Sequence, residues 1–241
     1  WVNDTASNIA VSATRTVVID TTTPAVTANP TIYPGSQSSA TNGQTVTLNA
    51  TITDATTTVD KVTVNAADIG CSTTLSMSRS GSSNYFNADC ALSGATDGTK
   101  SLLVTANDTA NNINNSISLS VVVDTTSPSS LSFVSPTLAD GTNLSRNYYE
   151  VNLTFTETNP NNCLFDDGSN TSMTRVGSSC FINRTSQSDG TKTYRVFVND
   201  TAGNIAVSAT RTVVIDTTQP TSLSYQTPTP ANGANLSRSY Y

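Results

Sequence analysis

The residues able to do chemistry in this chain are few, and they recur. Four cysteines fall as two pairs, Cys71 with Cys90 and Cys163 with Cys180, 19 and 17 residues apart. Such spacings suit local disulfides across the middle strands of a small domain, each worth on the order of 3 kcal/mol. Two buried free thiols per repeat are the alternative. Zinc is disfavoured, because the chain has no CxxC pair and no histidine. The lack of histidine also removes Ser–His and Cys–His nucleophiles. Paired carboxylates could do glycosidase work. The one adjacent acidic pair is Asp166-Asp167, and Gly168 behind it makes the trio a turn. Glu150 and Glu157 fall on a strand and at its end, and no Gly-rich phosphate loop is present. These absences argue against an enzyme.

Asparagine carries the second possible chemistry. N-x-S/T sequons occur at Asn3, Asn49, Asn107, Asn114, Asn143, Asn152, Asn170, Asn183, Asn199 and Asn235. Composition alone, with 25 Asn, 43 Thr and 33 Ser, would give about eight, so the motif is not enriched. The sequons therefore read either as polar decoration or as acceptors for N-linked glycans. Asn143 and Asn235 occupy equivalent positions in equivalent loops, as do Asn107 and Asn199, so these four are the favoured acceptors. The net charge of -6 and the absence of any basic run argue against nucleic acid as a partner. No apolar stretch approaches the 18 or so residues of a membrane span.

The elements that position these residues come from an internal repeat. VNDTASNIAVSATRTVVIDTT, from Val2 to Thr22, returns as VNDTAGNIAVSATRTVVIDTT from Val198 to Thr218, with Ser7 against Gly203 the one difference. NDTA recurs at Asn107, and VVIDTTTP at Val17 recurs as VVVDTTSP at Val121 and VVIDTTQP at Val213. A period near one hundred residues matches a seven-stranded β-sandwich. The expected organisation is the last strands of one repeat over 1–20, complete domains over 21–124 and 125–216, and the first strands of another over 217–241.

Strand signals fill this frame. TVTLNATIT places Val46, Leu48, Ala50 and Ile52 on one face, and YEVNLTFTE does the same with Val151, Leu153 and Phe155. Later runs align Leu102, Val104 and Ala106, then Ile117, Leu119, Val121 and Val123, and in the next repeat Tyr194, Val196 and Val198. A period of two over many short runs predicts an all-β fold of half-buried strands. NDTANN and NDTAGN are turns between the last two strands, with Gly203 suited to a positive φ. Arg211 falls where the other repeat has Leu119, which predicts a bulge or a snorkelling side chain. Pro24 and its copies at Pro128 and Pro220 end the ladder and stiffen each joint. Domains stacked end to end in a rod are the expectation.

The pairing of D-T-A-G-N (Asp200 to Asn204) with V-I-D-T-T-x-P (Val214 to Pro220) resembles the Ig-like repeats of giant prokaryotic surface proteins, Big-type bacterial adhesins and long archaeal surface proteins among them. The resemblance implies stacked sandwiches with adhesion, surface-coat or fibre roles. The Asn-rich, Lys-poor composition favours an archaeal source. Some relatives bind calcium at domain junctions through aspartates of these motifs. That points to Asp20, Asp124 and Asp216 in the linkers and to Asp4, Asp108 and Asp200 in the turns, with Asp140 as an added ligand. An Asx-turn needing no ion is the alternative.

Two functions follow as expectations. The first is a structural segment of an extracellular fibre, stalk or surface coat that associates with neighbouring repeats of the same protein. The second is a ligand-binding adhesin module. Its candidate loops are Ser80 to Phe86 and the Tyr148-Tyr149 pair with its copy Tyr240-Tyr241, although packing at the strand mouth is the favoured role of these tyrosines. The disulfides place either on the cell surface. The incomplete repeats at 1–20 and 217–241 call for partner strands, from more of the same polypeptide or, less favoured, from a neighbouring copy.

Overall fold

A computed structural model describes the chain apart from residues 36, 228, 236 and 238–241. Two compact units make it up, residues 1–127 with 199–205, and residues 128–198 with 206–241. The first strands are β1 (Val2–Asn3) and β2 (Ile9–Ala10), a short antiparallel pair. Residues 11–24 carry no strand.

A sandwich follows in the first unit. Its strands are β3 (Ala25–Ala28), β4 (Thr45–Thr53), β5 (Val59–Val64), β6 (Leu75–Ser76), β7 (Ser78–Arg79), β8 (Tyr85–Ala91), β9 (Gly98–Asp108) and β10 (Ile113–Val123). One sheet runs β3-β4-β8-β7 and the other β10-β9-β5-β6. The alternation read from the sequence places Val46, Leu48, Ala50, Ile52, Val104 and Ala106 at 0 % exposure between the sheets. Burial of such β-branched and aliphatic side chains on one face is the main driving force of this fold. Ile117 is only half-buried, because the β9–β10 register shifts between Asn114 and Ile117.

A short 3-10 turn, Ala67–Ile69, leads into Gly70 at φ +86. A Cβ there would lie 1.9 Å from the Ser93 carbonyl oxygen, so only glycine fits. Cys71 comes directly after and is disulfide-bonded to Cys90 on β8. Cys71 lies in the loop behind the 3-10 turn and not on a middle strand.

The second unit repeats the plan. Its strands are β11 (Ser129–Val134), β12 (Thr142–Leu144), β13 (Tyr149–Thr156), β14 (Pro160–Asp166), β15 (Asn170–Ser172), β16 (Thr174–Val176), β17 (Ser179–Arg184), β18 (Gly190–Asp200), β19 (Ile205–Val207) and β20 (Arg211–Ile215). The sheets are β11-β13-β17-β16 and β12-β20-β18-β14-β15, with β19 on β18. β12 pairs parallel with β20, Thr142 opposite Val213. A lone parallel bridge, Ala40 with Val123, takes that place in the first unit. This two-layered strand order, closed at one edge by a parallel strand, is that of an Ig-like sandwich.

The second core is aromatic. Tyr194 stacks between Tyr149 and Phe165, with ring centroids 5.5 and 5.3 Å away. Burial pushes the Tyr194 phenol up to about 12. Cys163 on β14 and Cys180 on β17 bridge the two sheets, both fully buried.

Arg211 sits opposite Tyr194, as Leu119 sits opposite Leu102. The β18–β20 register runs without a shift from Gly190 to Tyr194, and β12 covers the other side of β20, so the arginine sits neither on a bulge of that ladder nor at an open edge. The strand breaks at 208–210, where the Ser208 hydroxyl donates to the Ala209 carbonyl and accepts from Val196 N–H, each at 2.9 Å. The guanidinium lies 4.5 Å from the Phe133 ring centre and donates to the Leu138 carbonyl at 2.6 Å.

Residues 216–227, 229–235 and 237 carry no strand, and Tyr240-Tyr241 lie outside the described residues. Among the described residues, no helix is long and apolar enough to cross a membrane.

Candidate functional site

The NDTA turn is built the same way three times. In each copy one Asp oxygen accepts two backbone N–H groups, and the other accepts a side-chain amide. Asp4 takes Ala6 and Asn8 N–H, both at 2.9 Å, and the Asn8 amide at 2.8 Å. Asp108 takes Ala110 and Asn112 N–H at 2.8 and 2.9 Å, and the Asn112 amide at 2.9 Å. Asp200 takes Ala202 and Asn204 N–H at 2.8 and 2.9 Å, and the Asn204 amide at 2.7 Å. Asp4 is exposed, whereas Asp108 and Asp200 are fully buried. The turn is therefore local chemistry that forms without a sandwich around it. The Asn8 amide, ahead of the backbone donors, holds the Asp4 carboxyl below its ordinary range. The third turn residue has positive φ in all copies, at Ser7 (69°), Asn111 (67°) and Gly203 (87°).

The turns also grip the linker aspartates. The Asn112 amide donates to the Asp20 carbonyl at 3.2 Å, and the Asn204 amide to the Asp124 carbonyl at 2.9 Å. Each linker Asp closes its own small turn, with Thr22, Thr126 and Thr218 N–H donating to Asp20, Asp124 and Asp216. Asp216 engages its own linker in this way and lies in no triad of acidic groups among the described residues.

Asp20 gains more. Its second oxygen accepts the Thr57 hydroxyl at 2.6 Å. The Thr22 hydroxyl first, then that of Thr57, lower its pKa. Asp54, beside it, accepts Thr56 and Thr57 N–H through Oδ1, while its buried Oδ2 has no hydrogen-bond partner. One carboxylate oxygen each from Asp20, Asp54 and Asp108 lie within 4.8 Å of one another. Three anions this close repel unless donors or a cation offset them. Hydrogen-bond donors reach all three, and the orphaned Oδ2 is the position a hard cation fits. The sequence pattern does not single out Asp54. A signal was there, since an acidic residue directly follows the equivalent strand in both repeats, Asp54 after β4 and Glu157 after β13.

A second aspartate pair latches the other half of the linker. Asp97 accepts Thr125 N–H and hydroxyl at 2.6 and 2.5 Å and the Thr126 hydroxyl at 2.5 Å. Asp189 repeats this with Thr217 at 3.0 and 2.7 Å and Thr218 at 2.9 Å. The Thr125 and Thr217 hydroxyls are the main groups lowering these two pKa values. The repeated D-G-T-K at Asp97 and Asp189 carries the motif in the sequence. Asp140 faces β20, where Thr212 N–H donates to it at 2.7 Å. It makes its bonds there and not with the linker aspartates.

The sequons divide by exposure. Asn3, Asn143, Asn170, Asn183 and Asn235 are exposed, and Asn107, Asn114, Asn152 and Asn199 are partly buried. Asn49 is 1 % exposed and its amide donates to the Pro30 and Thr47 carbonyls. It lies on the outer face of β4, covered by the segment around Asn29 and Pro30, out of reach of a modifying enzyme. Asn114 likewise spends its amide on the Pro24 carbonyl at 2.8 Å.

The loop at Ser80–Phe86 is a tight turn closed by Ser80 N–H to the Tyr85 carbonyl, and Phe86 is buried under Arg79. Tyr149 is core, whereas Tyr148 is 38 % exposed beneath the Arg146 guanidinium. Asp166 and Asp167 pair with Arg195 and Arg184 around the Gly168 turn. The ion pair with Arg195 lowers the Asp166 pKa.

No known family model matches the sequence, and no curated protein does either. Solved structures resemble the fold at low identity. Fibronectin(III)-like modules of Clostridium thermocellum CbhA match over 79 % of this chain and 93 % of theirs, at 19 % identity and a TM-score of 0.43. A chimeric titin Z1Z2 matches over 82 % of this chain and 99 % of its own, at 17 % identity and 0.38. A tetra-tandem repeat from the extending region of a large adhesion protein matches over 81 % of this chain and 50 % of its own, at 18 % identity and 0.32. By its own strand order and repeats, this chain is an all-β protein of Ig-like sandwich units.

Proposed function

We propose that the chain is a structural segment of an extracellular fibre, stalk or surface coat, built from Ig-like repeats over 21–124 and 125–216 stacked head to tail. Residues 1–20 and 217–241 belong to the adjoining repeats. The observation that carries this reading is the linker grip, Asn112 on Asp20 and Asn204 on Asp124, made twice by the same residue types. A repeated joint is what a shaft needs, since every junction must give the same geometry. The disulfides suit an oxidising exterior, and the Asn-rich, Lys-poor composition suits an archaeal surface. Electron microscopy of the native material tests the reading. A string of equal domains is expected, and a compact particle overturns it.

Two additions belong to the same proposal. Glycans at the exposed sequons would coat the shaft, and calcium at Asp20, Asp54 and Asp108 would stiffen a joint. The orphaned Asp54 Oδ2 supports the calcium. Calcium is expected to raise the melting temperature of the wild-type chain and not that of Asp54→Asn, and an equal response in both excludes the site. The adhesin reading is favoured by one feature, the exposed Tyr148 with Arg146 stacked on it. Binding of glycans or host surfaces that Tyr148→Ala abolishes would establish it.

A further inference from the structure

The Asp200–Asn204 turn belongs to the second repeat of the sequence but to the first compact unit. It is bonded there at both ends. The Gln44 amide donates to the Ala202 carbonyl at 3.0 Å, and the Asn204 amide donates to the Asp124 carbonyl at 2.9 Å. Gln44 is itself fixed, since its Oε1 accepts Thr41 N–H at 3.1 Å and its own N–H donates to the Thr41 carbonyl at 3.2 Å. Gly203 lies against two glutamines. A Cβ there would stand 2.7 Å from Gln37 Nε2 and 3.1 Å from Gln44 Nε2. The backbone alone does not demand glycine, because Ser7 and Asn111 hold the same turn position at φ 69° and 67°, against 87° for Gly203. The one letter that differs between the copies from Val2 and Val198, Ser7 against Gly203, therefore falls where the turn meets Gln37 and Gln44.

We propose that Gln37 and Gln44 form a socket selective for a glycine turn, so that the third turn residue decides which repeat can follow the one over 21–124. The inference rests on the tandem-repeat reading above and names a specificity determinant at its joint. The two glutamines answer a side chain at position 203 differently. Gln44 is held at both atoms of its amide, so giving way stretches or breaks its bond to Ala202. The Gln37 Oε1 is buried without a hydrogen-bond partner, so that oxygen does not anchor the side chain. Serine or asparagine must displace Gln37 and press on Gln44, and the selection comes from that crowding, with no contact unique to glycine. Counted back from the equivalent Asp54 and Glu157, the second repeat has Asn147 where the first has Gln44. The socket thus varies between repeats, as the turn residue does. The joint has a shared part, asparagine on the linker aspartate, and a variable part that sorts neighbours.

The test places the three natural turn residues at position 203 of the full chain. Gly203→Ser and Gly203→Asn recreate turns that the chain already forms elsewhere, so the turn itself survives. Solvent exchange of the Gln44 side-chain amide, read by nuclear magnetic resonance, reports the bond to Ala202. Both variants are expected to exchange about fivefold faster than the wild type, the worth of one hydrogen bond. The same three residues are then compared with Gln37→Ala, which empties the crowded side of the socket. There the three rates are expected to converge on that of the wild type. Equal rates for glycine, serine and asparagine beside Gln37 overturn the proposal, and so does a difference that Gln37→Ala leaves in place. Either result would leave the fibre reading standing, because electron microscopy of the native material judges it separately.

Discussion

The side-chain amide of Asn112 reaches the backbone carbonyl of Asp20, 92 residues earlier, while still holding the buried carboxylate of Asp108. One amide group therefore closes a turn and pins a linker with its two hydrogens. Asn112→Ala is expected to leave the Asp20 carbonyl and one Asp108 oxygen short of a donor and to cost about 2 kcal/mol. Urea unfolding measures the loss. Faster amide exchange at Thr22, whose N–H bonds the Asp20 side chain, separates it from a general weakening.

Acid should release the linkers. Asp97 and Asp189 have pKa values lowered in the folded chain by threonine hydroxyl and N–H donors. A group depressed on folding contributes stability that is present above its unfolded pKa, near 3.8, and is lost as pH falls through the folded value. The melting temperature should therefore fall on acidification below about pH 4. Asp97→Asn and Asp189→Asn should flatten that limb, and calorimetry across the range shows whether they do.

The disulfides predict an ordered response to reductant. Cys163 and Cys180 are fully buried, so a thiol reductant should reach them only when the second unit opens. The pair Cys163→Ala with Cys180→Ala should cost that unit about 3 kcal/mol, from the loop it closes. Denaturant curves read it directly. The half-exposed Cys71 should make the first bridge the earlier one to react, which timed alkylation and mass spectrometry can follow.

Glycan occupancy should follow the geometry of each amide. Expression in a host with N-glycosylation is expected to modify Asn143, Asn170 and Asn183, which are exposed, and never Asn49. Glycopeptide mass spectrometry reports this site by site. Modified Asn49 would contradict the cover that the segment around Pro30 places over it.

Local patterns carried the legible part of the fold. Val46, Leu48, Ala50 and Ile52 declare their face by alternation, and NDTA declares its turn, because each depends on neighbours within a few residues. Asn49 was opaque for the opposite reason. Its amide finds Pro30, a partner on another segment that no period reveals. Asp54 meets Asp20 and Asp108 only after the strands have folded. The seat of Arg211 over Phe133 depends on the opposite sheet. Asp97 and Asp189 are different, since the repeat that exposed the linker aspartates contains them too.

The bridge from Cys163 to Cys180 also sets how far the second unit can be stretched. If pulling on its ends unravelled the strands, the loop between the bonded cysteines, a sequence separation of 17, would stay out of the load path. At roughly 3.5 Å per residue, about 60 Å of slack is withheld. A filament of such units would reach its limit early and transmit strain, where an unbridged one would go on lengthening.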